Sequence, residues 1–258
     1  MAASVRQPGR RTTKKVGSNT LLALMSAEDR AAIARHLEPY ELKRGTTLLK
    51  PLMPVEHVYF ISDGLVSLVQ LLENGRYIEA GIVGREGMVG ALVPLGAAAF
   101  SNEAVVQISG MSLRMSAEAL RVEVALRPHL RDLLLRYIQA LFAQITYSVT
   151  CNNQHTLRRR LARWLSMASD FTETENLSLT HELLSVMLGV RRSGVTEGVT
   201  ALKKAGLIVP SKGGIRTCDV TGLHNATCEC YAAVKSEYRR LLGPAVFSTG
   251  AEVRKVTR

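Results

Sequence analysis

The sequence predicts an α+β chain in two unequal parts, strands first and helices after. Three observations carry that reading. Short β-prone runs recur between residues 40 and 115, separated by glycine turns. From Pro128 onward the apolar residues change to helical spacing. The charge divides at the same place: residues 21–125 sum to −3 and residues 156–242 to +5, within a total of +11 over 258 residues. An apolar fraction of 47% excludes a mainly disordered chain. No apolar run approaches the roughly 18 residues of a membrane span. The nearest candidate, residues 91–100, is broken by Pro94 and Gly96.

Residues 1–20 carry five basic side chains and no acid, which reads as a disordered basic tail. The same composition also fits an organellar transit peptide. Residues 21–38 read as one helix, with Ser26 and Asp29 at a helix start and Ile33 and Leu37 on its apolar face. Strands follow at 46–49, 58–61 and 65–71. Asp63-Gly64 is a turn signal, and Asn74-Gly75 is the strongest hairpin signal in the chain, with 77–83 as the returning strand. Further strands fall at 104–108 and 112–115. Short strands at this spacing suggest a compact barrel or roll over 21–127.

Residues 128–150 form a long helix with a wide apolar band, from Leu130 through Tyr137 and Phe142 to Val149. Such a band needs cover on two sides, for instance the roll and a second copy of the chain; the alternative is the core helix of a monomer. Cys151, Asn152 and Asn153 interrupt the pattern, so a hinge is expected near 150–156. The next helix, about 156–170, shows Leu157, Leu161, Trp164 and Leu165 on one face. Arg158, Arg159, Arg160 and Arg163 occupy the rest, as a solvated surface or as phosphate contacts.

Residues 179–205 carry the functional signal. Thr180 is a good N-cap, Leu183, Leu184, Met187 and Leu188 give a short helix its apolar face, and Gly189 ends it. A second helix starts near Arg191 or Arg192. Val195, Val199 and Leu202 make one buried stripe, and Arg192, Ser193, Thr196, Glu197, Thr200 and Lys203 lie opposite. That is a helix-turn-helix, whose second helix enters the DNA major groove. Arginine bridges two acceptors on guanine, glutamate accepts from cytosine N4, and Ser, Thr and Lys hold phosphates. Lys212-Gly213-Gly214 then turns a small β-hairpin, a wing on which Lys212 and Arg216 face backbone phosphates. The expected DNA-binding residues are Thr180, Arg191, Arg192, Ser193, Thr196, Glu197, Thr200 and Lys212. The bland alternative is an ordinary pair of packed helices.

With these residues in view, the chain resembles the Crp/Fnr family of bacterial transcription regulators over about residues 21–242. The likeness is strongest at 157–165, 179–205 and 207–223, and weaker at 57–64, where His-Val-Tyr-Phe-Ile-Ser-Asp-Gly matches a strand-and-turn signature. The resemblance implies a cyclic-nucleotide-binding-like jelly roll (21–127), a dimerisation helix and hinge (128–155), a winged helix-turn-helix (156–242) and a C-terminal tail (243–258). It implies a cytoplasmic homodimer on a palindromic operator in double-stranded DNA, with RNA polymerase as a further candidate partner and no membrane. Two departures qualify it. Members that bind cyclic nucleotides use a Gly-Glu step and an Arg-Ser or Arg-Thr step; here Gly90 precedes Ala91, and Ser101-Asn102 stands where the arginine pair belongs. A response to cyclic nucleotide is therefore not expected. In the recognition helix, Ser193 replaces a Glu and Glu197 a second Arg, so the DNA site should differ from those of catabolite-activator-type members.

No cofactor and no metal site are expected. His224 and Cys228, four apart on an expected helix, with Cys230 and Cys218 nearby, have spacing that could chelate zinc or sense oxidation, but buried hydrophobes and a surface histidine are the simpler reading. Cys151 at the hinge is a further oxidation candidate. His36, His57, His129 and His155 are scattered, and Arg85 reads as a surface turn residue, with contact to an anion as the alternative. No GxSxG, HExxH or Walker motif occurs, so no enzyme is expected. The alternative function is an interaction module or anti-activator that keeps the fold without specific DNA binding. Four sparse cysteines, with no apolar signal region ahead of them, point to a reducing compartment.

Overall fold

The computed structural model describes residues 19–172 and 174–247. The basic tail up to residue 18 and the segment from 248 lie outside them. The helix expected over 21–38 is two helices, α1 (Thr20–Leu24) and α2 (Ala27–Ala34). Ser26 is the reason: its hydroxyl accepts from the Asp29 N–H at 3.0 Å, and a cap of this kind holds an extended backbone that interrupts the chain before it. Asn19 caps α1 and donates to the carbonyls of Ile61 and Gly87, both at 2.7 Å, fixing α1 to the strands below.

Eight strands follow: β1 (Glu38–Leu42), β2 (Thr47–Leu49), β3 (His57–Ile61), β4 (Leu65–Leu71), β5 (Tyr77–Val83), β6 (Met88–Val89), β7 (Glu103–Ile108) and β8 (Gly110–Ser116). They build two antiparallel four-stranded sheets, ordered β1-β8-β3-β6 and β2-β7-β4-β5. The two sheets face each other as a jelly roll over a core that includes Leu42, Phe60, Leu65, Val66 and Val106. The Asn74-Gly75 hairpin joins β4 to β5, with Gly75 at φ +76°, the left-handed region such a turn requires. Ser116 then caps α3 (Ala117–Leu126) by accepting from Ala119.

The long helix α4 (Pro128–Gln154) has 27 residues, on the order of 40 Å at ~1.5 Å per residue. It runs straight through Asn152 and Asn153, which correct the expected interruption there. Asn153 donates back to the Val149 carbonyl at 2.8 Å, and Asn152 accepts from Arg160 at 3.1 Å. The break falls at His155, in extended conformation. Two buried polar contacts seat α4 on the roll. The Tyr137 hydroxyl accepts from the Met88 N–H at 3.1 Å, over Gly87, where a Cβ would collide with the phenol. Gln144 accepts from the Ile82 N–H at 2.8 Å and donates to the Ile82 carbonyl and the Tyr238 hydroxyl, so one amide takes the place of a strand partner.

The C-terminal part comprises α5 (Leu157–Thr172), β9 (Asn176–Leu177), α6 (His181–Leu188), α7 (Arg192–Lys204), β10 (Ile208–Ser211), β11 (Gly214–Thr217), α8 (Val220–Asn225) and α9 (Glu229–Leu242). Helix α9 packs along α4, and a 3-10 turn at Pro244–Phe247 stacks Phe247 on Phe171 and meets Tyr238 edge-on. His224 and Cys228 do not share a helix, a second correction: α8 ends at Asn225 and Cys228 caps α9. The His224 ring instead meets the Tyr231 hydroxyl at 2.8 Å. Arg85, read as a surface turn, is half-buried between the roll and α5: its N–H donates to Phe171 and its carbonyl accepts from Thr20. Buried apolar residues of the roll, α4 and the C-terminal helices form one continuous core.

Candidate nucleic-acid interface

Helix α6 begins as its sequence requires. The Thr180 hydroxyl accepts from the Leu183 N–H at 3.2 Å, and Gly189, at φ +61°, ends the helix in the left-handed region. Helix α7 buries Val195 and Leu202 and half-buries Val199. Two glycines bring it close to α5. A Cβ at Gly194 would stand 3.0 Å from Leu157, and one at Gly198 3.1 Å from Leu161, both tighter than ordinary packing.

The opposite face of α7 is open. Arg191, Arg192, Ser193, Thr196, Glu197, Thr200 and Lys203 are all exposed, as is Thr180 at the start of α6. His181, which the sequence analysis passed over, links the two helices: its Nδ1 lies 3.1 Å from the Thr196 hydroxyl. Its only sequence signal is its place directly after the cap. Thr196 and Thr200 donate to the carbonyls of Arg192 and Thr196, at 3.1 and 2.7 Å. To hold a phosphate oxygen, each hydroxyl must exchange that internal bond for an external one, since phosphate offers only acceptors. Arg192 and Ser193 have no such prior engagement through their side chains among the described residues.

The wing is a three-stranded antiparallel sheet, β10-β11-β9. Lys212 and Gly213 form its tip, Gly213 at φ +80°, and Lys212 and Arg216 are exposed. The four arginines of α5 do not act alike. Arg158 and Arg159 are exposed. Arg160 is half-buried and donates to Asn152 and to the Leu188 carbonyl, closing the C-terminal end of α6. Arg163 is buried, which corrects its assignment to a solvated or phosphate-facing surface.

Behind this surface a cavity of about 340 Å³ lies between the roll and α4. Gly90-Ala91 and Ser101-Asn102 contribute to one wall, and Ile138 and Phe142 of α4 to another. Its size is at the lower end of the ~300–1,000 Å³ typical of small-molecule sites. No charged side chain is among its described lining residues.

One contact joins the two halves through a buried carboxylate. Glu79 of β5 accepts from Ser67 at 2.5 Å and from the Trp164 indole of α5 at 2.6 Å. Burial outweighs both hydrogen bonds and pushes its pKa up to about 7. Helix α4 also carries an uncovered seam. Leu135, Phe142 and Val149 recur every seventh residue and are 36%, 69% and 59% exposed, with Ile138 and Ile145 half-buried between them. This 3-4 spacing is that of a coiled-coil contact.

A family model described as a Crp-like helix-turn-helix domain matches residues 159–226, and a cyclic nucleotide-binding domain model matches residues 39–125. The chain is 24% identical over 185 residues to a CRP-like cAMP-activated global transcriptional regulator of Mycobacterium tuberculosis, covering 69% of this chain and 83% of the relative. FixK2 from Bradyrhizobium japonicum shares the fold at TM-score 0.64 and 15% identity, over 74% of this chain and 98% of that one. A transcriptional regulator of the CRP family from Thermus thermophilus does so at TM-score 0.59 and 19% identity, over 72% and 95%. These structural likenesses establish the fold.

Proposed function

Because the chain belongs to the Crp/Fnr family of transcription regulators, we propose that it acts as a homodimer that reads a two-fold symmetric operator through α7 and does not answer to cyclic nucleotide. The observation that carries this reading is the outer face of α7, a row of exposed polar and basic side chains on a helix whose other face is locked onto α5. In this reading Arg191, Arg192 and Glu197 read base edges, and Thr180, Ser193, Thr196, Thr200 and Lys212 hold phosphates. The division of labour follows the chain: roll over 21–127, coupling helix and hinge over 128–155, DNA-binding domain over 156–242.

The dimer forms along the seam of α4, where Phe142 and Val149 stand exposed among the described residues. The cavity supports the absence of a cyclic-nucleotide response. A cyclic phosphate buried there would meet no cation, and burying an unpaired anion costs more than the remaining contacts return. A neutral, mostly apolar molecule fits that lining better. Members of the family regulate transcription rather than catalyse a reaction. RNA polymerase is the further partner in this reading and the cytoplasm the compartment; no helix among the described residues is long and apolar enough to cross a membrane.

Selection of bound fragments from the source genome by the purified chain tests the proposal. A palindromic motif with half-sites about one helical turn apart, ~34–36 Å, is expected. Recovery of no motif favours an interaction module that keeps the fold without specific DNA binding.

A further inference from the structure

Four ligand-type side chains converge where α4 ends and α9 begins. Cys151 lies in the last turn of α4, and His155 ends that helix four residues on, on the same face. Cys228 caps α9 and Cys230 lies in its first turn. One ligand atom from each of the four falls within 4.8 Å of all the others. Cys151 Sγ is 3.5 Å from Cys228 Sγ, and Cys230 Sγ is 3.8 Å from His155 Nδ1. Zinc bonds of ~2.3 Å to sulfur and ~2.0–2.1 Å to nitrogen make tetrahedral edges of about 3.5–3.8 Å. Four atoms this close enclose a single ion and leave no room for an iron–sulfur cluster. The three cysteines are buried and the His155 side chain is 8% exposed.

Two neighbours fit a metal, although the second, Arg163, also donates to the Ser148 hydroxyl and the Met167 sulfur, both at 3.4 Å. His155 Nε2 lies 3.1 Å from the Glu229 carboxylate, which holds the proton on Nε2 and leaves the Nδ1 lone pair toward Cys230. A carboxylate behind a ligand histidine is the usual orienting partner at metal sites. The second neighbour is Arg163. It is buried, it has no ion pair, and its Nε has no hydrogen-bond partner among the described residues. Its guanidinium favours the thiolates of Cys151 and Cys230. Glu79, whose ionisation it also favours, lies beyond ion-pair distance. Three thiolates and a neutral imidazole around a divalent cation carry one net negative charge, which Arg163 balances. Against neutral thiols the same guanidinium would be a buried charge without a counterion.

We propose that Cys151, His155, Cys228 and Cys230 form a structural zinc site. Binding of one Zn²⁺ releases three thiol protons and forms three Zn–S bonds and one Zn–N bond, with no change of oxidation state. The ion ties the end of α4 to the start of α9, positions 77 residues apart in sequence for Cys151 and Cys228. Since only Thr156 separates His155 from α5, the clamp also fixes the direction in which the DNA-binding half leaves the long helix.

The test uses the full chain without an affinity tag, expressed with zinc and purified under reductant. Elemental analysis should give one zinc per chain. Replacement by Co²⁺ should give the d–d bands of tetrahedral cobalt with thiolate-to-metal charge transfer. Cys151→Ser, Cys228→Ser, Cys230→Ser and His155→Ala should each bring zinc to background, while Cys218→Ser, whose residue is exposed and outside the cluster, keeps one equivalent. Should a cysteine variant fail to fold, the cobalt spectrum of the unmodified chain and its loss to a chelator decide the matter. Amide exchange around 151–160 should quicken on chelation. A reduced, reconstituted chain that holds no metal overturns the proposal. So does a Cys151–Cys228 disulfide in its place, an iron–sulfur chromophore, or zinc retained in all four variants.

Discussion

The outer face of α7 and the cavity of the roll are two surfaces offered to a ligand, and their chemistry is opposite. The α7 face holds Arg191, Arg192, Ser193 and Lys203 in water on a rigidly packed helix. The cavity is bounded by Ala91, Ser101, Asn102, Phe142 and other uncharged residues. The first offers cations to a phosphate or a base edge, whereas the described lining of the second offers only uncharged polar groups, Gln70, Ser101 and Asn102. The difference teaches that two surfaces of one chain can suit ligands of opposite character, the α7 face a polyanion and the cavity a neutral molecule. Helix α4 touches both regions, forming one wall of the cavity and ending at the hinge to α5, while the roll also meets the C-terminal half directly through Glu79 and Trp164.

The largest expected effect separates the two surfaces at that shared helix. Phe142→Glu places a charge in the exposed seam, and sedimentation should show a monomer. Its operator affinity should fall by at least about 100-fold, ~2.8 kcal/mol, because two half-sites no longer act together. A variant that stays dimeric removes the seam from the interface. Next comes Arg192→Ala, with a loss of about 1–3 kcal/mol and relaxed preference at one base pair if the side chain reads a base. Affinity equal to the parent chain would take Arg192 out of the interface. Lys212→Ala should weaken binding only several-fold, alike on all sequences, and lower the salt slope by about 1. A sequence-dependent loss would make the wing a reader of bases.

A last effect, read in stability rather than in DNA affinity, bears on the contact between the halves. Glu79 binds its proton more tightly in the folded chain, at about 7, than in the unfolded one, near 4.5. Its share of stability is therefore full below about pH 4.5 and is lost as pH rises to about 7. Glu79→Gln should flatten that part of the Tm-against-pH curve, by as much as about 10 °C at ~1.4 kcal/mol per pKa unit and ~2–4 °C per kcal/mol. Glu86, raised by burial to about 8, contributes a parallel loss at higher pH that the substitution leaves in place. An unaltered curve would mean that Glu79 is ionised throughout.

The elements legible in the sequence are those specified by neighbours along the chain. Strands β4 and β5 fall at the expected residues because Asn74-Gly75 sets their register, and α6 and α7 because Thr180 and Gly189 punctuate them. Strand β1 was not legible: Glu38, Pro39 and Glu41 lack strand alternation, and the strand exists because β8 supplies its hydrogen bonds. Strand β6 has two residues and no local signal at all. The eight expected interface residues lie on α6, α7 and the wing, since helix-turn-helix chemistry is local. The metal cluster is the reverse case. Sequence spacing joined His224 to Cys228, whereas packing of α9 on α4 brings Cys228 and Cys230 to Cys151 and His155. No spacing rule anticipates a set split across that distance.

The central claim is that this chain reads DNA through α7 without a cyclic-nucleotide signal. Its most direct test is a titration of the selected operator at about 150 mM salt, a Debye length of ~8 Å. The parent chain and Arg192→Ala would be compared with and without saturating cyclic AMP. The account predicts tight, nucleotide-independent binding by the parent chain and a loss of about 10- to 100-fold in the variant. Binding that appears only with cyclic AMP, or that is the same in both proteins, would contradict it.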